Sequence, residues 1–192
     1  MEEKVIILGD SPFLQEVSDK VNYVTERYYT IGINNIINKF HTHAHIFTDM
    51  PFINLTNSRQ DLKTISLYMY GDMIQKDNKE LYDTYSFKAG EDKVENNGKL
   101  AWCGFTHDYA ISYCIHKGVK EVVLLGAADF SQSGHFATLS DFKFSEKLRE
   151  QSLKFIEDTC TKYVKIKTCN PNSKLNVERI SVDELLKPLT LI

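Results

Sequence analysis

Short apolar runs in this chain repeatedly end in glycine, asparagine or aspartate. Those residue types let a backbone approach a ligand closely or hydrogen-bond to it. Lys4-Val5-Ile6-Ile7-Leu8 ends at Gly9-Asp10-Ser11, Tyr28 to Ile33 at Asn34-Asn35, Ala44 to Thr48 at Asp49, and Glu121 to Leu125 at Gly126-Ala127-Ala128-Asp129. Glycine has no Cβ to hold a phosphate away, and a helix N-terminus offers unpaired N–H groups to an anion. Asn and Asp side chains at the same edge can bond a ribose or a base. Any one of them is equally at home in a turn or as a helix cap. Their coincidence at four predicted strand ends says more, because the ligand crevice of a parallel α/β sheet lies just beyond the carboxyl ends of its strands.

Histidines add acid–base chemistry. His135 follows Ser131-Gln132-Ser133-Gly134 in the loop after the strongest predicted strand, where an imidazole suits general acid or base work near neutral pH; an ordinary surface-loop histidine would look the same. Thr106-His107 opens a predicted helix and either binds phosphate or caps. His41, His43 and His45 recur at period two, which would put three imidazoles on one strand face. A metal site would need a fourth ligand, and this segment lies at the end of the strand opposite the crevice, so no metal ligand is assigned. Neither G-x-G-x-x-G nor G-x-x-x-x-G-K-[ST] occurs, which argues against a dinucleotide dehydrogenase or a P-loop NTPase.

The elements that must position these residues follow from periodicity. Lys4–Leu8 reads as a strand buried on both faces. Pro12 sits in the first turn of a helix expected over about Ser11–Lys20, with Leu14, Val17 and Val21 at helical spacing. Strands are expected over Tyr28–Ile33, Ala44–Thr48 and Lys63–Tyr70. From Gly71 to Leu100 the pattern weakens, and 91–98 reads as an exposed polar loop. Thr106–Lys117 is apolar almost all round, so its helix should be buried, and Gly118 stops it. Glu121–Leu125 is the clearest strand. A long helix over Asp141–Cys160 carries Phe144, Leu148, Phe155 and Ile156 on one side, and a strand with one exposed face follows over Tyr163–Thr168. Ser181-Val182-Asp183-Glu184 is a capping box for a last short helix. Helix, glycine, β-branched strand, glycine is half of a parallel α/β unit. The expected fold is a single α/β Rossmann-like domain over residues 1–192, its sheet mostly parallel with helices on both faces, and with a variable insertion or lid at about 53–100.

Composition sets the outer bounds. With 192 residues, 42% hydrophobic and 26% charged, the chain suits one globular domain. A net charge of −3 argues against a general nucleic-acid binder. No apolar run approaches the roughly 20 residues of a membrane helix, and Met1-Glu2-Glu3-Lys4 lacks a secretory start, so a cytoplasmic chain is expected. Cys103, Cys114, Cys160 and Cys169 form no C-x-x-C pair, and three lie in apolar surroundings, as buried thiols do.

In this order the motifs resemble those of the sialyltransferase-like group of nucleotide-binding proteins. A related superfamily includes archaeal 6-hydroxymethylpterin diphosphokinases and flagellin-modifying glycosyltransferases. The group opens with a strand and G-N-G-P-S-L. Here Gly9, Pro12 and Leu14 match, whereas Asp10, Ser11 and Phe13 depart. Ile33-Asn34 and Ile46-Phe47-Thr48-Asp49 are similar to its second and third strand ends. Phe105-Thr106-His107, Gly118-Val119-Lys120-Glu121-Val122 and Gly126-Ala127-Ala128-Asp129-Phe130 resemble its central helix start, G-[YV]-K-E-[IV] and G-x-D-F, the last with one extra residue. Gly134-His135-Phe136 fits G-H-[YF], and Cys169-Asn170-Pro171-Asn172-Ser173 is similar to C-P-N-S. The similarity covers most of the chain except about Ile53 to Leu100.

The resemblance implies a CMP-type nucleotide sugar held at Gly9, Asp10, Asn34, Asp49 and Thr106, with no further cofactor. It also implies inverting transfer of the sugar to the hydroxyl of a glycan or other acceptor. Animal-type relatives carry the general base in an H-x4-E pattern; the corresponding positions are Asp141 and Glu146, so aspartate stands in place of histidine. Asp141 or His135 would then be the base. Ser11, His107, Gly126 and Asp129 complete the candidate nucleotide set. Two alternatives stay open: Mg²⁺-dependent phosphoryl transfer of the diphosphokinase type, with Asp10, Asp49 and Asp129 as hard-cation ligands, and nucleotide binding without catalysis.

Overall fold

The continuous apolar run Lys4-Val5-Ile6-Ile7-Leu8 is explained by what covers it. It forms β1 (Lys4–Leu8), flanked by β2 (Tyr29–Ile33) and β7 (Glu121–Leu125). Val5 and Ile7 point to one face of the sheet with Val122 and Leu124, and Ile6 and Leu8 to the other with Val123 and Leu125. The computed structural model describes residues 3–89, 99–130 and 146–187. Among them, β3 (Ala44–Phe47), β4 (Lys63–Leu67), β5 (Tyr82–Ala89), β6 (Lys99–Trp102), β8 (Lys165–Thr168) and β9 (Glu178–Arg179) complete one nine-stranded sheet. Its order is β6-β5-β4-β3-β2-β1-β7-β8-β9, and every pairing is parallel.

Helices cover both faces, and a short α3 (Ile53–Ser58) follows β3. One face carries α1 (Phe13–Glu16), α2 (Ser18–Arg27) and α6 (Val182–Leu186), which bury Leu14, Val21, Val24, Val182 and Leu185. The other carries α4 (Thr106–His116) and α5 (Glu146–Asp158), which bury Tyr109, Ala110, Ile111, Phe155 and Ile156. Every residue of α4 from Thr106 to Cys114 is buried, its polar members Thr106, His107, Asp108 and Ser112 included. Ser181 and Glu184 form the reciprocal cap of α6. All four cysteines are free thiols, and Cys114, Cys160 and Cys169 are buried. No helix among the described residues is long and apolar enough to cross a membrane.

Several boundaries differ from the sequence expectation. The helix expected over Ser11–Lys20 is two helices, broken at Val17 (φ −119°, ψ 17°) and continuing to Arg27. The break lets Phe13-Leu14 and Val21-Val24 both reach the sheet. The strand expected over Lys63–Tyr70 stops at Leu67 and gives way to a 3₁₀ turn over Tyr68–Met73. β5 and β6 arise where the pattern was weakest. Asp83 interrupts the apolar alternation of β5, and the structure pairs it with Lys63 at 3.1 Å. Leu148, expected on the core side of the long helix, is 38% exposed. The polar loop 91–98, Phe144 and the start of that helix at 141–145 lie outside the described residues.

The order of the strands sets the site. From β1 the chain moves through β2, β3 and β4 to one side, and β7 then adds on the opposite side of β1. Connections therefore diverge at the β1/β7 boundary, where a doubly wound sheet opens a crevice.

Candidate functional site

At that boundary the two strand ends are in contact. Gly9 N–H donates to the Leu125 carbonyl and Ser11 N–H to the Gly126 carbonyl, both at 3.0 Å. A Cβ on Gly9 would lie 2.2 Å from the Gly126 oxygen and 2.5 Å from Ala127 Cα, so only glycine fits without moving backbone. Gly126 has φ +73°, and Ala128 (φ 51°) and Phe130 (φ 48°) are also left-handed. Asn34, just past β2, is the remaining non-glycine residue with positive φ among the described residues, at 52°. All three non-glycine examples thus follow the carboxyl ends of β2 and β7. Such backbone strain collects at ligand sites, where the surroundings must hold it in place.

Asn34 is held from two sides. His45 Nε2 hydrogen-bonds to the Asn34 carbonyl at 3.0 Å, so that nitrogen carries the proton, and His45 Nδ1 then accepts from Thr56 Oγ1 at 3.2 Å. Burial lowers the His45 pKa to about 3, which keeps the ring neutral. The Asn34 side-chain oxygen accepts from Thr106 Oγ1 at 3.1 Å. Thr48 Oγ1 lies 2.8 Å from Thr106 Oγ1, within hydrogen-bond distance. Desolvation raises the pKa of the neighbouring Asp49, and a hydrogen bond with Thr48 opposes the rise. The network ties the ends of β2 and β3 to the first turn of α4. The strand ends from β3 across to β7 span three inter-strand steps, about 14 Å.

The start of α4 is fixed from within the protein. Asp108 Oδ2 accepts the Phe105 N–H at 3.3 Å, and Ser152 Oγ on α5 donates to Asp108 Oδ1 at 2.6 Å. His107 Nε2, 3.0 Å from Ser152 Oγ, must then donate to it. The His107 ring stacks on Phe105 with centroids 5.0 Å apart and meets Phe130 edge-on at 5.2 Å. Burial lowers its pKa to about 3 and raises that of Asp108 to about 7, the latter against hydrogen bonds from Ser152, Phe105 and Cys103. Serine, histidine and aspartate meet here, but the wiring is wrong for a nucleophile: the serine hydroxyl donates to the aspartate, and the histidine donates to the serine rather than accepting from it. This buried cluster clamps α5 to α4.

Most of the predicted residues fall into two sets. Gly9, Asp10, Ser11, Gly126 and Asp129 stand at the β1/β7 ends, and Asn34, Asp49 and Thr106 at the β2/β3 ends beside α4. The side chain of His107 packs inward, leaving its backbone N–H, which like that of Thr106 has no acceptor within the helix. Glu146 opens α5 and is exposed. His135 and Asp141 lie outside the described residues. Of the three spaced histidines, His45 alone lies in β3; His41 and His43 precede it, and His43 stacks on Tyr29 at 5.1 Å. No group of three or more His, Cys, Asp and Glu that could hold a metal ion occurs among the described residues. The sequence pattern placed His45 only among the period-two histidines and Thr48 only at a strand end, and gave no role to Asp108 and Ser152. Ser152 carried a signal, as a lone polar residue on the apolar side of α5 between Leu148 and Phe155.

Comparison with protein-family models, with curated proteins and with solved structures finds no match.

Proposed function

We propose that the crevice over β7, β1, β2 and β3 binds a nucleotide-activated sugar, of CMP type, and that the chain transfers the sugar to an acceptor hydroxyl. The observation that carries this is the left-handed Asn34, held by His45 and Thr106, beside the glycine contact at the point where the sheet's connections diverge. Gly9 and Gly126 let the ends of β1 and β7 close on each other, and the Thr106 and His107 N–H groups at the positive end of α4 bond the phosphate oxygens. Because the Asn34 oxygen is occupied by Thr106, its NH₂ is the group directed to a base or ribose acceptor. Asp49 accepts from a ribose hydroxyl.

In the transfer, the acceptor oxygen loses its proton to a base, Asp141 or His135, and attacks the anomeric carbon from the face opposite the nucleotide. The glycosidic C–O bond to phosphate breaks, and CMP leaves with the electron pair. A base of this kind contributes about 10²- to 10⁴-fold in rate.

A thermal-shift panel of CMP, CDP, UDP, GDP and ATP, each with and without Mg²⁺, tests the proposal. A ligand at 100 times its Kd stabilises by about 2.7 kcal/mol, which raises Tm by about 5–11 °C in a chain of this size. CMP binding without metal is the expected result. A response to ATP that requires Mg²⁺ would instead support phosphoryl transfer, and no shift with any nucleotide at millimolar concentration would overturn both.

A further inference from the structure

The chain has four arginines, and three of them are bonded within the protein. Arg27 donates to the Leu186 carbonyl, Arg59 to the Asp61 carboxylate and the Ile37 carbonyl, and Arg179 to the Pro171, Ser173 and Leu175 carbonyls. Arg149 differs. It is half-buried, its Nε is buried with no hydrogen-bond partner, and it joins none of the ion pairs among the described residues. A guanidinium offers five N–H donors and stays charged at all working pH values. Burying a guanidinium N–H without an acceptor is unfavourable, so an arginine left this way points to an acceptor that arrives from outside.

The fold says where that acceptor would sit. α5 connects β7 to the parallel strand β8, so it runs back against the strands, and its N-terminal end lies at their carboxyl edge. Arg149 lies seven residues before Ile156, which places it about 10 Å nearer that edge and within about 20° of Ile156 around the helix. Ile156 is buried, and Glu157 beside it accepts the Asn176 N–H at 2.7 Å, so this flank of α5 faces the segment that follows β8. By helix geometry, the same flank two turns higher is directed to the loops leaving β7 and β8. There Lys174 N–H reaches the Asp129 carbonyl, and Arg179 braces the 170–175 loop. Helical side chains lean toward the N-terminus, so Arg149 leans toward the crevice. Asp10, Asp49 and Asp129 lie along that crevice, and their charge would repel a phosphate without a compensating cation.

We propose that Arg149 is the phosphate-binding residue at the β7–β8 end of the crevice, gripping a phosphate of the nucleotide with its planar fork. The assignment rests on the nucleotide proposal above, and calorimetric titrations of wild type, Arg149→Gln and Arg149→Lys with CMP, cytidine and inorganic pyrophosphate separate the two. Arg149 makes no bond at Nε, so both variants should unfold within about 2 °C of wild type. The expected result is that Arg149→Gln weakens CMP and pyrophosphate by about 10- to 100-fold, the range of a charge-assisted pair. Arg149→Lys should weaken them less, and cytidine should change less than about twofold. Equal CMP affinity in wild type and Arg149→Gln would overturn the Arg149 assignment and leave the nucleotide proposal standing. Pyrophosphate binding lost in Arg149→Gln, with no nucleotide bound by wild type, would uphold the anion site and overturn the nucleotide. Binding of neither would overturn both.

Discussion

Replacing Gly9 by alanine tests the close contact on which the crevice is built. The added Cβ would sit 2.2 Å from the Gly126 oxygen and 2.6 Å from Ala127 N, both backbone atoms that no side-chain rotation can move. Gly9 does not have a left-handed φ, so the cost comes from crowding alone. Overpacking of a tight interior costs about 1–3 kcal/mol. Relief would require pulling β1 from β7 at two 3.0 Å hydrogen bonds, Gly9 to Leu125 and Ser11 to Gly126, so the upper end, about 3 kcal/mol, is expected. For a chain of this length that lowers Tm by about 6–12 °C, read by circular dichroism during heating, with urea unfolding as a check on cooperativity. Gly118→Ala is the control with the opposite cause: nothing lies within 4 Å, but φ is +76°. It should cost about 1–2 kcal/mol through backbone strain. A Gly9→Ala protein at least as stable as Gly118→Ala would refute the close approach of β1 and β7.

Three further outcomes are expected. Thr106→Val keeps the shape of the residue but leaves the Asn34 oxygen and the Thr48 hydroxyl without their shared partner, costing about 1–3 kcal/mol in urea unfolding and weakening nucleotide binding with it. His45 has a folded pKa of about 3 against an ordinary 6.5, so the unfolded chain binds the extra proton between those values. Stability is therefore lost as pH falls from about 6.5 toward 3, and His45→Gln should remove about 1.4 kcal/mol per pH unit from that slope; Asp108, raised to about 7, acts in the opposite sense between its ordinary value and 7. Once CMP-sugar turnover is measured, Asp141→Asn or His135→Ala should lower kcat by at least about 100-fold, and unchanged rates in both would remove the two candidate bases.

Much of the frame was legible because buried parallel strands leave an unmistakable trace. Lys4–Leu8 and Glu121–Leu125 are apolar at every central position and stop at glycine, and both strands have the expected bounds. The Asn34, Asp49 and Gly126 strand ends could be assigned to one edge from that pattern alone. β5 and β9 were not legible, for different reasons. In β5 an ion-paired aspartate replaces an apolar residue, and β9 has two residues, both charged and exposed. The polar bonds within the site were hidden as well. Thr48 and His45 matter through tertiary partners at Thr106 and Asn34, 58 and 11 residues away, and no local period reports such pairs. His107 shows the converse: its position at a helix start suggested a ligand contact, but aromatic packing and Ser152 claim its ring.

The central claim is a nucleotide at the β1/β7 divergence, and a calorimetric titration of CMP into the wild-type chain and into Asn34→Ala tests it most directly. Saturable one-to-one binding by wild type without added metal is expected, weakened by about tenfold or more when the left-handed asparagine is removed. Absence of binding by wild type at millimolar CMP, or equal affinity in the two proteins, would contradict it.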